Sequence, residues 1–387
     1  MKICLINNIF QPVGRGGAET VSVAVVDALL AAGHHVTVIC TAPRVPIVEQ
    51  EARFKIYRLG GLCSYFHELG RMNAVFRLVW HVADLFNLAA YFRLKKILLL
   101  ETPEIVWTQN LMGIGYLAPF AIKAVRARHI HTLHDVQLLH PSGLMLLGAE
   151  SSLDGLFARL YQFFTRLFLA GIDTVISPSG WLMAEHTKRN FFKASKRLIL
   201  PNPLAEVPDR LLAPPISYDG DTYKFLYLGQ IERHKGILFL AEAFSRWPLK
   251  SAELTIAGDG SVLSELMVYA EKNPNLKILD RLKREDALAL LARSDCLIVP
   301  SLCYENFPTV ILEAKACGTP VLAARIGGIS EMLSDDNSLF IPGDVADLTR
   351  KMRRMIDRRS SIVRPVVEMT DKTPAMNIDD YIRSALG

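Results

Sequence analysis

The chain has few cysteines and no close pair of them: Cys4, Cys40, Cys63, Cys296, Cys303 and Cys317 contain no C-x-x-C spacing. That speaks against a disulfide framework, and thiols set in apolar runs read as reduced core residues of a cytosolic protein. No uncharged apolar run reaches the roughly 18 residues that a bilayer-crossing helix needs. The opening MKICLINNIF is too short and lacks the small-residue cleavage site of a signal peptide, so it reads as a first buried strand. A basic tail is also missing. The 44 Lys and Arg against 39 Asp and Glu give +5, scattered along the chain, which suits an anionic ligand or a negatively charged membrane surface better than nucleic acid.

What is present is apolar patterning. Half of the 387 residues are hydrophobic, enough core for two domains at roughly 150 residues each. Short Val, Ile and Leu runs alternate with longer helical patterns, as in parallel sheets covered on both faces. The first half has KICLINN, HVTVIC, FKIYRL, EIVWTQ, HIHTLH, TVISPS and RLILPN; the second has YKFLYLG, ELTIAG, LKILD, CLIVPS, PVLAAR and SLFIPG. Between them Pro201, Pro203, Pro208, Pro214 and Pro215 mark a linker. The expected fold is α/β, two doubly wound Rossmann-like domains facing across a cleft. Residues 1–205 form the first, 206–369 the second, and a last helix at about 370–387 crosses back.

Open parallel sheets bind ligands beyond the carboxyl ends of their strands. After the first strand, Gly14, Gly16 and Gly17 precede an amphipathic helix over 18–32 ended by Gly33. This is either a phosphate cradle or a tight strand-to-helix turn. In YLGQIERHKG the lysine Lys235 stands at a helix start, placed to meet a phosphate or simply solvated. The turn AGDGS (257–261) shows only that the backbone bends.

The run YENFPTVILEAKACGTP sets Glu305 just ahead of a helix over 308–317 and Glu313 five residues into it. That is about 7 Å further along at 1.5 Å per residue. Two carboxylates so spaced fit neither a metal pair nor an acid/base dyad; they fit a long ligand with hydroxyls at each end and phosphate between. The alternative has Glu305 capping the helix and Glu313 in solvent.

At this point the chain resembles a retaining glycosyltransferase of family 4, of GT-B architecture. ENFPTVILEAKACGTPVLAARIGGISEML resembles that family's E-x7-E signature, GRGGAET its glycine loop, TLHDVQLLHPSG its histidine motif and LGQIERHKG its phosphate-binding segment. The resemblance implies that Glu305 contacts the donor sugar, with Asn306, Phe307 and Pro308 near sugar and phosphate. Glu313 would hold the ribose and Lys235 the diphosphate. Gly16 and Gly17 would close over the diphosphate, the backbone near Leu282 would lie beside the base, and His134 near the reacting sugar and acceptor. The family often has arginine where this chain has Gln230, so Gln230 or Arg233 would supply any second phosphate contact. No metal and no cofactor is implied beyond the nucleotide diphosphate sugar itself.

Two further clusters read blandly. Asp219-Gly220-Asp221 is a linker turn, and His131, His134 and His140 follow no usual zinc spacing. The stretches 71–100 and 156–171 mix aromatics with Arg and Lys at helical spacing. The first fits either a core helix or a membrane interface; the second fits a core helix better. Together these imply a cytoplasmic glycosyltransferase, at the inner face of the cytoplasmic membrane if the first stretch is interfacial, acting on a saccharide or lipid-linked acceptor in surface polysaccharide or glycolipid assembly. A sugar-nucleotide hydrolase or epimerase, or a non-catalytic sugar-nucleotide-binding protein, are the alternatives.

Overall fold

The computed structural model describes all residues except 13–15, 43–46, 205–206, 209–210, 212–221, 247–250, 334 and 359–375. Gly14, Pro214, Pro215 and Asp219-Gly220-Asp221 therefore lie outside the described residues, as do positions 359–375 at the end of the second expected domain and the start of the tail. The chain forms two compact units. One comprises Met1–Leu144, Glu150–Ala205 and Met376–Gly387, the other Met145–Ala149 and Glu206–Ala375.

The first unit is built on eight strands: β1 Lys2–Ile6, β2 His35–Thr41, β3 Ile47–Glu51, β4 Phe54–Leu59, β5 Ile105–Thr108, β6 Arg128–Thr132, β7 Thr174–Ser177 and β8 Lys196–Ile199. They are ordered β3-β4-β2-β1-β5-β6-β7-β8. All neighbours pair in parallel except β3 with β4. Ile3, Leu5, Val36, Val38, Trp107 and Ile130 are among the sheet residues of one core, packed against Val21, Val25 and Leu29 of helix α1 (Gly17–Ala31). The antiparallel edge β3 was not legible beforehand. Its sequence, IVEQE, is exposed at every position, so it carries no burial pattern.

The stretch 71–100, expected at helical spacing, forms two helices, α2 (Ala74–Leu85) and α3 (Leu88–Glu101). The break falls at Asn87, whose side chain accepts from the amide of Ala90 and caps the second helix. Helices α4 (Ala118–Ala124), α5 (Leu156–Phe168) and α6 (Gly180–Thr187) complete the main body.

The second unit has β9 (Tyr223–Leu228), β10 (Ala252–Ala257), β11 (Leu276–Leu279), β12 (Cys296–Val299), β13 (Val321–Ala324) and β14 (Leu339–Phe340). They form an all-parallel sheet, ordered β11-β10-β9-β12-β13-β14. Its helices are α7 (Ile237–Ser245), α8 (Leu263–Lys272), α9 (Arg284–Ala292), α10 (Thr309–Ala316), α11 (Ile329–Met332) and α12 (Val345–Asp357). Strands such as CLIV of β12 are buried throughout, as a two-sided cover requires.

Both units borrow from elsewhere in the chain. Met145–Ala149 joins the second, where Leu146 bridges to Cys303, the Leu147 amide donates to Leu302 O at 2.9 Å and the Tyr304 amide donates to Met145 O at 2.8 Å. The first takes the last helix, α13 (Ile378–Leu386). There Tyr381 stacks on Trp107 at 6.0 Å and 13°, and Arg128 donates to the carbonyl of Leu386. All six cysteines are buried and unbridged. No helix among the described residues is long and apolar enough to cross a membrane.

Candidate functional site

In each sheet the strand order reverses beside the unit's first strand, between β1 and β5 and between β9 and β12. Loops leaving two such strands diverge and open a crevice at their carboxyl ends. Most of the expected residues follow these strands.

In the second unit, β9 runs into Gly229, Gln230 and a 3-10 turn over Arg233–Lys235. Gly236 then takes the left-handed conformation, φ +73°, and starts α7. A Cβ at 236 would sit 1.8 Å from the Pro300 carbonyl oxygen, so the absence of a side chain lets the turn lie directly on the loop after β12. That loop supplies Ser301, Cys303 and Glu305. Lys235 Nζ meets Glu305 Oε1 at 2.6 Å, and Ser301 Oγ donates to the same oxygen at 2.9 Å.

The side chains of Lys235 and Glu305 are 25% and 17% exposed, which decides how they titrate. Burial alone would raise the Glu305 carboxyl, but the Lys235 ammonium and the Ser301 hydroxyl outweigh it and hold it below its ordinary value. Burial works against the Lys235 ammonium too, and Glu305 again prevails, raising it. Both groups are thus charged at neutral pH.

Glu305 does not cap the helix. Its carboxylate is turned to Lys235, while Pro308 occupies the N-cap position of α10. Pro308 had been expected one position later, as the first helical residue. Asn306 and Phe307 are buried at the helix start, and Gly318, φ +65°, ends the turn beyond it. Glu313 is not in solvent either: its side chain is 19% exposed, with Arg284 Nε 3.6 Å from Oε1. Burial raises its carboxyl and Arg284 partly offsets that. Half-buried Leu282 lies in the loop between β11 and α9, two residues before Arg284.

Two candidates for a second cation fare differently. Arg233 is taken up by Glu265 of α8, with Nη2 at 2.8 and 2.6 Å from its two oxygens, and the pair is exposed. The structure therefore pairs it away from the Lys235–Glu305 cluster. Gln230 is exposed, and its carbonyl accepts from the Tyr227 hydroxyl at 2.6 Å.

In the first unit, Gly16 caps α1 in extended conformation, φ −167°, and Gly17 is its first residue. Nothing among the described residues demands a glycine at 16, since a Cβ there would make ordinary contact with Glu19 at 3.5 Å. Glu19 adds negative charge to that first turn, which disfavours an anion there. His134 and Asp135 follow β6. His134 is half-buried, with Nε2 2.6 Å from Gln109 Oε1, and burial pushes the imidazole down to about 4. Asp135 is pushed up to about 6, chiefly by burial.

The other histidines part company with it. His131 is buried, its Nδ1 2.9 Å from Thr108 Oγ1, which also meets His129 at 2.7 Å. His140 lies 2.8 Å from Ser142 Oγ. Gln109, Ser22 and Asn7, which stand behind His134, escaped the sequence reading. For Asn7 and Gln109 the signal is there, since INN and WTQN each place amide side chains directly after an apolar strand run.

A broad apolar surface lies on the first unit. Helix α2 exposes Val75, Phe76, Leu78, Val79 and Val82; α5 exposes Leu156, Phe157, Leu160, Phe163 and Leu167. Phe86 and Phe164 join the two, with ring centroids 5.1 Å apart. Arg77 and Arg159 are exposed among them, and the one acid of the two helices, Asp84, is buried. The second stretch had been expected to be a core helix. It buries Ala158, Tyr161, Gln162, Thr165 and Phe168 but leaves its other face open.

The sequence profile described as "Glycosyl transferases group 1" matches residues 213–366, and that described as "Glycosyl transferase 4-like domain" matches residues 16–203. A 42.6 kDa protein in the cps region of Klebsiella pneumoniae is 25% identical over 353 residues, covering 90% of this chain and 91% of that one. Among solved structures, sucrose-phosphate synthase from Thermosynechococcus elongatus aligns at TM-score 0.70 with 19% identity over 99% of this chain and 94% of that one. HepE of Anabaena, in complex with UDP, aligns at TM-score 0.70 with 16% identity over 100% of this chain and 99% of that one.

Proposed function

Since the chain belongs to the group 1 glycosyl transferases and has their GT-B fold, we propose that it is a retaining, metal-independent hexosyltransferase. It uses a nucleotide diphosphate sugar as donor and glycosylates a hydroxyl of a saccharide or lipid-linked acceptor, in surface polysaccharide or glycolipid assembly. The observation that carries this reading is the Lys235–Glu305 pair at the switch point of the second sheet, with Glu313 on helix α10 that follows. A carboxylate for sugar hydroxyls, a cation beside it for the diphosphate and a second carboxylate for ribose hydroxyls answer to the donor's three parts.

In the transfer step the anomeric C–O bond breaks and its electron pair stays on the diphosphate oxygen. The acceptor oxygen forms the new bond on the same face, and its proton passes to the departing diphosphate. Fixed positive charge where negative charge grows is the largest lever available, and Lys235 supplies it. The start of α10, at Asn306, Phe307 and Pro308, adds its dipole. The chain near Leu282 lies beside the base, and His134 serves the reacting hydroxyl. Gly16 and Gly17 admit the diphosphate; with Glu19 beside them they contribute space rather than charge. Gln230 supplies the second phosphate contact, since Arg233 is held by Glu265.

The cps-region relative supports surface polysaccharide assembly, and HepE, a chain of the same fold solved with UDP-glucose, makes UDP sugars the first donors to try. The apolar surface of α2 and α5, with its exposed arginines and no exposed acid, suits the headgroup region of an anionic membrane and so a lipid-linked acceptor. Residence at the inner face of the cytoplasmic membrane follows from that reading.

The test is incubation with UDP, GDP and ADP sugars, following thermal shift and nucleotide release. Acceptor-dependent release supports transfer. Release without an acceptor favours hydrolysis or epimerisation, and stabilisation without release favours a binding protein. Co-sedimentation with phosphatidylglycerol vesicles, weakened by Phe76→Ser with Leu160→Ser, checks the membrane reading.

A further inference from the structure

Asn7, Ser22 and Gln109 are 1%, 0% and 2% exposed, and such polar side chains cost about 1–3 kcal/mol each if left unpaired. They satisfy one another in sequence. Asn7 Oδ1 accepts from the amides of Asn8 at 3.0 Å and Asn110 at 3.2 Å. Two backbone donors on one atom identify it as the oxygen, so Nδ2 is the donor, giving hydrogens to Ile9 O at 2.8 Å and Ser22 Oγ at 3.0 Å. The Ser22 hydroxyl has one hydrogen to share between two acceptors, Gln109 Oε1 at 2.7 Å and the Ala18 carbonyl at 2.8 Å. The same Gln109 oxygen faces His134 Nε2 at 2.6 Å.

We propose that Gln109 is a positioning residue for the transfer reaction: held by Ser22 and Asn7, it fixes His134 as the Nε2–H tautomer and makes Nδ1 the ring's acceptor nitrogen. The inference rests on the role given to His134 above. A neutral imidazole offers one donor and one acceptor, and only the acceptor can take a hydrogen bond from a sugar or acceptor hydroxyl. Because burial pushes His134 down to about 4, the ring is neutral at working pH and its tautomer decides what it offers. Asn7, Gln109 and His134 lie one or two residues beyond the ends of β1, β5 and β6, and Ser22 lies on α1, so the arrangement is held where the sheet and that helix meet. The ionisable groups around the ring are His131 of β6, the adjoining Asp135 and, facing Asp135, Glu19 of α1.

Nitrogen-15 NMR of the imidazole at pH 7.5 in the full chain reads the tautomer directly, with His134→Gln to assign the signal. The expected result is Nε2–H in the wild type and in Gln109→Glu, which keeps an acceptor oxygen, and a mixture or Nδ1–H in Gln109→Leu. Transfer should fall about 10- to 100-fold in kcat in Gln109→Leu, by analogy with the loss seen when the hydrogen-bond partner of a metal-bound histidine is removed, with nucleotide affinity unchanged. An Nδ1–H signal in the wild type, or an unchanged signal in Gln109→Leu, overturns the proposal. If the tautomer behaves as expected but His134→Gln transfers sugar normally, the function assigned to His134 fails and the structural relay stands.

Discussion

The carbonyl of Glu305 accepts from the amide of Gly328 at 2.8 Å and lies 2.3 Å from where a Cβ on Gly327 would stand. Gly327 is also left-handed, φ +58°. The Gly-Gly turn after β13 is therefore the backstop of the loop that presents Glu305. Gly327→Ala combines about 1 kcal/mol of left-handed strain with a backbone collision, and should displace Glu305. Turnover is expected to drop at least tenfold while circular dichroism stays native; wild-type kinetics in this variant would show that the carboxylate's position is not critical.

Lys235→Ala removes the cation and leaves Glu305 partly buried without its partner. The expected stability loss is about 2 kcal/mol, below the 3–5 kcal/mol of a fully buried pair because both side chains retain solvent contact. Calorimetry should show weaker nucleotide diphosphate binding, with the nucleoside alone little affected. Equal losses for both ligands would place Lys235 away from the phosphates.

Glu313 is expected to hold ribose hydroxyls. In the wild type a 2′,3′-dideoxy nucleotide should bind about tenfold more weakly than the ribonucleotide, on the scale of a charge-assisted hydrogen bond. In Glu313→Ala that gap should close, because the carboxylate that reads the hydroxyls is gone. Persistence of the gap moves the ribose contact elsewhere.

Asp84 of α2 is 1% exposed, accepts from the Gly113 amide at 2.8 Å, and has one carboxyl oxygen with no hydrogen-bond partner among the described residues. Burial pushes it from 3.8 up to about 7. A carboxyl raised in the folded state binds more protons there than when unfolded, so stability falls as pH rises between those values. Three pKa units correspond to up to about 4 kcal/mol. The melting temperature should decline from pH 5 to pH 8, and Asp84→Asn should flatten that decline; parallel curves for the two proteins would refute the assignment.

The sheets were legible because buried parallel strands are continuous apolar runs, and both strand sets emerged from that pattern. The Glu305 to Glu313 spacing also conveyed real geometry, since Pro and Gly bracket the helix between them. Other features left no local trace. The fully exposed strand β3 has no pattern to read, and the docking of Leu147 on Leu302 links residues far apart in sequence. The capture of Arg233 by Glu265 could not be foreseen, because any exposed acid on a neighbouring helix competes for such a side chain. The buried relay behind His134 was overlooked although its residues follow strands, as polar groups in that place read as ordinary strand ends.

The exchange of short segments between the two units bears on how the chain is made. Leu302–Tyr304, next to Glu305, pairs with Met145–Leu147, which is synthesised long before it; Trp107 waits for Tyr381. Neither unit corresponds to one unbroken stretch. A protein begun at residue 206 would keep Lys235, Glu305 and Glu313 yet lack the backbone that the Glu305 loop rests against, and a protein stopped at residue 204 would lack the helix that covers Trp107 beside α1. The first unit cannot complete its core until the nine-residue helix Ile378–Leu386 is available, so a chain without that helix should be sensitive to protease at α1 and β5.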